Sequence, residues 1–473
     1  MVFSSAAFLF AFLPIVLGLY FFPAFRKNER KNLKYKNIIL CLSSLLFYAW
    51  GEPVYIVLMI LSIVFNYFIG IDIEENVLNE KKKKFALLLG LGFNIFALGF
   101  FKYSGFLVDS FSGLFGFEAD YSPLPLPIGI SFYTFQIMSY IIDVYYGTVK
   151  AQRKLLPFMT YISMFPQLIA GPIVQYSDIE EQLQERYINF EKFAAGVIFF
   201  IRGLGKKVLF ANTIGAVYTE ITSGDISKAS VATAWIGIIC YTLQIYFDFS
   251  GYSDMAVGLG KMFGFNFCKN FDLPYIATSI TDFWRRWHIS LSSWFRDYVY
   301  IPLGGNRVSK GRHIMNILIV WSLTGLWHGA AWNFVAWGAF YGILLILEKY
   351  LFKDIIEKTP KFLRHVITLI VVMLGWVLFS SNTLTDAVTY IGAMFGAGEN
   401  VFFDSTAKYL LSTHAFPMIF MSLSAFGLFS HLPRTKNFKV NVSVLCIGYM
   451  IIFALCVIYL ISETYNPFLY FRF

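Results

Sequence analysis

Long apolar runs separated by short charged loops occupy almost the whole chain. The first run reaches Phe22 and meets the basic stretch Arg26-Lys27-Asn28-Glu29-Arg30-Lys31. Ile38–Trp50 and Val54–Gly70 flank a Gly51-Glu52-Pro53 turn. Phe85–Phe101 follows Lys81 to Lys84, and Ile128–Tyr146 ends before Lys150, Arg153 and Lys154. Leu155 to Val174 carries Pro157, Pro166 and Gly171-Pro172, so a re-entrant hairpin is expected there rather than a straight helix. Tyr176 to Phe193 is charged and amphipathic, the pattern of an interfacial helix. Phe193–Phe210, Ala232–Phe249, Ile314–Ala330, Phe334–Leu347, Val366–Ser380, Pro417–Ser430 and Val442–Ile461 complete the series. A helix crosses the hydrocarbon core with about 20 apolar residues. The pattern predicts an all-α polytopic membrane protein of about eleven or twelve transmembrane helices, with re-entrant and interfacial helices, as a single domain over residues 1–473. The runs are too long, and alternate too little, for a β-barrel.

Composition supports this and settles the environment. The chain is 57% hydrophobic and 14% charged, with mean hydropathy +0.61, whereas soluble domains carry about 25% charged residues. Its net charge of +9 does not form one patch. Basic residues recur between the apolar runs, at Lys349, Lys353, Arg364, Arg434 and Lys436 among others, so they report orientation and membrane lipids rather than nucleic acid. Their placement puts both termini, including the tail Ser462 to Phe473, on the extracytoplasmic side. The first run lacks a basic leader and a small-residue cleavage site, so it is expected to be a span. The five cysteines have no metal-ligand spacing, and no metal is expected.

Candidate chemistry concentrates between Thr281 and Gly342. His328 lies within the apolar run Ile314–Ala330, and an ionisable residue there faces a partner or a cavity. Neutral imidazole can take a proton from a hydroxyl and return it to a leaving group; the structural alternative is a bond across helices. Gly325 and Gly329 would let a second helix approach closely, and Asn333 could orient a ring nitrogen. His288 follows Arg285 and Arg286 in Phe283-Trp284-Arg285-Arg286-Trp287-His288. Arg285, Arg286 and Arg307 could steer an anionic donor, or simply anchor the cytoplasmic face. Gly304-Gly305 lacks the Walker pattern. Asp248 and Asp254 flank Phe249-Ser250-Gly251-Tyr252-Ser253, as a proton-relay pair or as caps of a helix broken at glycine. The aromatic end Phe468-Leu469-Tyr470-Phe471-Arg472-Phe473 is too short to span. It can anchor at the interface or fold back and bring the Tyr470 hydroxyl to the reaction centre.

Taken in order, the residues resemble the membrane-bound O-acyltransferases, in particular the bacterial alginate O-acetyltransferase branch. The resemblance rests on Pro125-Leu126-Pro127-Ile128-Gly129-Ile130-Ser131-Phe132 and Phe165-Pro166-Gln167-Leu168-Ile169-Ala170-Gly171-Pro172. It continues through Tyr246 to Asp254, Phe283 to Leu291 and Gly325-Leu326-Trp327-His328-Gly329, and closes with the aromatic tail. It implies a helical ring around a thinned centre, with His328 as the essential histidine and His288 as the second functional position. It also implies transfer of an acyl group, most simply acetyl, from a cytoplasmic thioester such as acetyl-CoA or an acyl carrier, with no tightly bound cofactor. The acceptor would be a hydroxyl of an extracytoplasmic polysaccharide, reached through a separate SGNH-like transferase, with Tyr470 as a plausible acyl relay. The implied location is the bacterial cytoplasmic membrane. Two alternatives stay open: D-alanyl transfer from a carrier protein to teichoic acid, and a transporter or flippase that makes no bond.

Overall fold

Helices supply the regular structure of the computed structural model, and no strand occurs among the described residues. Described are residues 1–22, 29–117, 120–169, 171–397, 400–428, 438–462, 466 and 469. Arg26, Lys27, Asn28, Ala170, Arg434, Lys436 and Tyr470 lie outside them, with the rest of the tail except Ser462, Asn466 and Leu469. Among the described residues five helices are long and apolar enough to cross a membrane: Tyr55–Glu75, Glu80–Phe115, Val231–Met262, Lys361–Ser380 and Ser443–Ser462. The expected runs near 130–146, 314–330 and 334–347 are also helical, as Ile130–Tyr146, Lys310–His328 and Trp332–Tyr350. The described residues divide into two compact units.

The first unit comprises Met1–Phe200 and Tyr252–Cys268. Its helices Ile56–Glu75 and Glu80–Phe115 are apolar outside and joined inside by two amides. Asn94 Nδ2 donates to Asn66 Oδ1 at 2.7 Å, and Asn66 Nδ2 returns a longer bond to Asn94 Oδ1 at 3.3 Å. Polar bonds of this kind hold helices together in an apolar medium, where burial of grease against grease contributes little. The proline-bearing segment is broken as expected: Leu155–Ser163 ends at Met164, Phe165–Leu168 makes one turn, and the next helix starts only at Tyr176. Its backbone is buried yet bonded. Phe165 N–H donates to Ser44 Oγ at 3.0 Å, and the Val174 carbonyl accepts from Tyr161 Oη at 3.0 Å. The amphipathic stretch from Tyr176 is two helices rather than one. Tyr176–Gln184 stops, and Phe190–Gly205 restarts where the Asn189 side chain accepts from Lys192 N–H at 2.8 Å, an N-cap that the charge pattern does not reveal.

The second unit comprises Ile201–Gly251 and Lys269–Phe473. It is built on the hairpin Lys310–His328 and Trp332–Tyr350. A methyl added at Gly325 would lie 2.5 Å from the Phe334 carbonyl oxygen and 3.2 Å from Gly338 Cα. The close approach expected at Gly325 is therefore present, with Gly338 of the returning helix opposite it. Around the hairpin lie the short helices Ile280–Arg286 and Ile289–Phe295, and the long helix Lys361–Ser380.

A second close crossing gives a test of packing. In the first unit a methyl on Gly258 would meet the Gly196 carbonyl oxygen and Phe200 N, each at 2.6 Å. Gly258→Val is expected to lower stability by about 1–3 kcal/mol, read as a lower unfolding midpoint of the detergent-solubilised protein.

Candidate active site

His288 sits at the joint between Ile280–Arg286 and Ile289–Phe295. The first of these helices starts under tight control. Ser279 Oγ accepts from Asp282 N–H at 3.0 Å, while the Glu348 carboxylate accepts from Ile280 N–H at 2.7 Å and Thr281 N–H at 3.1 Å. These acceptors satisfy N–H groups that have no partner inside the helix. The chain then turns through His288 in the left-handed region, φ 45 and ψ 54, a conformation that costs a non-glycine residue about 1–2 kcal/mol. Asn270 holds the turn. Its main-chain oxygen accepts from Ile289 N–H at 2.9 Å, and its Oδ1 lies 2.9 Å from Ser290 Oγ, 3.2 Å from Ser290 N and 3.2 Å from His288 Nδ1. The ring is 1% exposed. Phe249 meets it edge-on at 4.6 Å between centroids, and Phe271 and Trp327 stand further off at 6.5 and 6.0 Å. Burial pushes its imidazolium down to about 3, so the ring is neutral at physiological pH.

His328 is the last residue of Lys310–His328 rather than a mid-helix position. Gly329 is extended, at φ −167 and ψ 156, and the next helix begins at Trp332. The imidazole thus stands at a helix end inside a run of membrane length. It is 7% exposed and ringed by Trp327 at 5.0 Å, Trp337 at 5.0 Å and Phe379 at 5.2 Å. Trp327 is common to both walls: its ring centroid is 6.0 Å from that of His288 and 5.0 Å from that of His328. Asn333 has a different task from the one expected. Its Nδ2 donates to the Ser381 carbonyl at 2.8 Å and to the Leu378 carbonyl at 3.4 Å. It therefore closes the C-terminal end of Lys361–Ser380 and does not orient the His328 ring.

Asp248 lies on Val231–Met262, which is unbroken through Gly251. The expected helix break is absent because Gly251 serves a close approach instead, a methyl there meeting the Gly203 carbonyl oxygen at 2.8 Å. Asp248 Oδ1 is 2.6 Å from Lys207 Nζ, and both side chains are 3% exposed. Lys207 also donates to Asn212 Oδ1 at 3.0 Å. Asp248 and Asn212, the two partners of Lys207, also bond the C-terminal tail: Leu469 N–H donates to Asp248 Oδ2 at 3.0 Å, and Asn212 Nδ2 to Asn466 Oδ1 at 3.1 Å. Asp254, half-buried, is six residues further along the helix and about 120° around it, so the two carboxylates do not share one face.

The arginines are dispersed. Arg286 is bound to Asp282, Nε to Oδ1 at 2.8 Å, and reaches the Asp272 carbonyl at 3.3 Å. Arg285 and Arg307 are exposed. The loop at Gly304 and Gly305 adopts positive φ, +101 and +57, but its N–H groups are spent on turns. Gly304 N–H goes to the Ile301 carbonyl, Gly305 N–H to the Tyr300 carbonyl and Arg307 N–H to the Gly304 carbonyl. It is a turn and not a phosphate cradle. No group of His, Cys, Asp and Glu suited to a metal occurs among the described residues.

Residues 149–385 match the membrane-bound O-acyltransferase family, MBOAT, and the chain belongs to that family; it is an acyltransferase and an integral membrane protein. It is 38% identical to a probable alginate O-acetylase, AlgI, of Azotobacter vinelandii over all of both chains. It is 36% identical to a peptidoglycan O-acetyltransferase of Helicobacter pylori, over 84% of this chain and 80% of that one. A teichoic acid D-alanyltransferase of Bacillus subtilis is 30% identical over 46% of this chain and 58% of its own.

Sequence reasoning did not single out Asn270, Lys207 or Asn212. Lys207 was open to the argument used for His328, since a lysine closing an apolar run needs a partner. Asn270 carries no such signal, because its role exists only through the fold. Two outcomes follow. Removing one member of the buried ion pair, as in Lys207→Met or Asp248→Asn, is expected to cost about 3–5 kcal/mol and to lower the unfolding midpoint. The double variant Lys207→Met/Asp248→Leu should recover much of that loss. His288 adds an acid sensitivity. Its folded value of about 3 lies below the unfolded one of about 6.5, so the unfolded chain binds more protons between those pH values and stability falls as pH drops through them. His288→Gln should flatten the stability slope in that window by up to about 1.4 kcal/mol per pH unit.

Proposed function

We propose that the protein transfers an acetyl group from a cytoplasmic thioester, acetyl-CoA, towards hydroxyls of an extracytoplasmic polysaccharide. The observation that carries this reading is the pair of buried imidazoles, His288 and His328, walled by one tryptophan in a chain of the acyltransferase family. Acetyl is favoured over D-alanyl because the O-acetylating relatives match over most or all of the chain, the D-alanylating one over less than half.

In this mechanism a ring nitrogen of His328 takes the proton from the acceptor hydroxyl as its oxygen attacks the thioester carbonyl. The tetrahedral intermediate collapses by breaking the C–S bond, and the imidazolium returns the proton to the departing thiolate. An ester and a free thiol result, with no other reagent consumed. General base assistance of this kind contributes about 10²–10⁴-fold, and alignment of the two substrates contributes more. The first acceptor is the Tyr470 hydroxyl of the tail; the bonds from Leu469 to Asp248 and from Asn212 to Asn466 support that reading by tethering the chain just before it. A separate extracytoplasmic transferase then passes the acetyl group to polysaccharide. The cytoplasmic membrane, with both termini outside, is the setting this direction of transfer requires.

Thiol release from acetyl-CoA by the purified protein in lipid nanodiscs tests the scheme. His328→Ala is expected to lose at least about 10²-fold in rate while eluting and melting like the parent; wild-type release from that variant would overturn the assignment. Tyr470→Phe should release thiol only at background if the tail is the first acceptor. Consumption of acetyl-CoA without any added carrier protein separates acetyl from D-alanyl transfer.

A further inference from the structure

We propose that Asn270 is a positioning residue for the reaction: its side-chain oxygen fixes His288 as the Nδ1–H tautomer and so presents the Nε2 lone pair to an O–H or N–H donor of the substrate. This rests on the reading of His288 as part of the reaction centre.

The tautomer follows from the neighbours. The Asn270 side-chain atom 3.2 Å from Ser290 N faces a main-chain N–H, which can only donate. That atom is therefore the oxygen and not the amide nitrogen. The same oxygen lies 3.2 Å from His288 Nδ1. An acceptor facing a ring nitrogen makes a hydrogen bond only if that nitrogen carries the proton, so Nδ1 is protonated and Nε2 holds a lone pair in the neutral ring. Asn270 is 2% exposed, and its main-chain oxygen takes Ile289 N–H at 2.9 Å. The asparagine thus binds side chain and backbone of the His288 turn at once, which leaves the imidazole little freedom to flip.

Nε2 is the informative atom. It is buried and accepts no hydrogen bond from any described residue. The imidazole is walled by the aromatic rings of Phe249, Phe271 and Trp327. A buried acceptor without a donor is costly, and a bound substrate supplies the donor that would remove the cost. The hydroxyl of the acyl acceptor and the amide N–H groups of a pantetheine thioester are donors of that class.

The test combines a spectroscopic readout with kinetics, on the full chain in nanodiscs. Protein labelled with ¹⁵N-histidine is compared as wild type, Asn270→Ala, Asn270→Asp and His288→Gln, the last identifying the His288 signals by their loss. Expected for the wild type is a protonated Nδ1 and an unprotonated Nε2. Asn270→Ala should move the proton towards Nε2 and cut the kcat of thiol release by 10- to 100-fold, with KM for acetyl-CoA within about threefold. Asn270→Asp keeps an oxygen acceptor at the same place, so it should retain the Nδ1–H signature and recover most of the lost rate. It also answers the question should the alanine variant fail to fold. An unchanged tautomer in Asn270→Ala, a kcat within twofold of wild type, or an aspartate variant with the Nε2–H form would overturn the proposal. If His288→Gln itself turns over normally, the wider reading of His288 fails. If it is inactive while folded Asn270→Ala is not, this inference alone fails.

Discussion

A polar side chain placed where there is no water must find its hydrogen bonds in the protein. The second unit meets that constraint repeatedly, and its architecture follows from how each case is met. Lys207 and Asp248 neutralise one another at 2.6 Å, both buried. Asn333 spends its amide protons on the last carbonyls of Lys361–Ser380. Asn270 gathers the side chain and the N–H groups of the turn at His288. Without these bonds, two helix ends and two buried charges would each lack a partner.

Chain breaks, not helix bodies, carry the candidate chemistry. His328 ends one helix and His288 begins another. A helix interior ties every backbone group to its own turn and directs side chains along fixed rows. A break releases that geometry, so a ring can stand across the row and face aromatic walls from several helices. Gly329, extended at φ −167, carries the chain from His328 towards the returning helix, and the left-handed His288 makes a comparable change of direction. The strain at His288 is held by Asn270 and by its aromatic neighbours, an arrangement expected where a conformation is kept for use rather than for stability.

The sequence made the apolar runs legible because hydrophobic periodicity and loop charge are local signals. The same logic exposed His328, an ionisable residue in a run of membrane length. It also anticipated the broken, proline-bearing segment after Leu155 and the close approach at Gly325. What escaped was pairwise. Asp248 read as a partner of Asp254 because the two are near in sequence, whereas its partner Lys207 is forty-one residues away. Asn333 lies beside His328 in the chain, yet its bonds run to residues 378 and 381. Gly251 read as a helix break, but only the neighbouring backbone at Gly203 shows that it is a packing position. Asn270 had no signal at all, since nothing local distinguishes a loop asparagine that solvates water from one that holds a histidine.

The two imidazoles, alike in residue type, are suited to unlike work. A general base is most effective when its pKa lies near the operating pH. Burial takes the His288 imidazolium down to about 3, which makes that ring a poor proton store but a good hydrogen-bond acceptor, since it never charges in the physiological range. In the proposed reaction the proton must rest somewhere between leaving the hydroxyl and reaching the thiolate. The proposed resting place is His328, at the end of Lys310–His328. Environments that separate the roles of paired titratable groups are how one site runs acid and base steps together. In the proposed division His288 orients the substrate through its Nε2 lone pair and His328 moves the proton, with Trp327 a wall common to both rings.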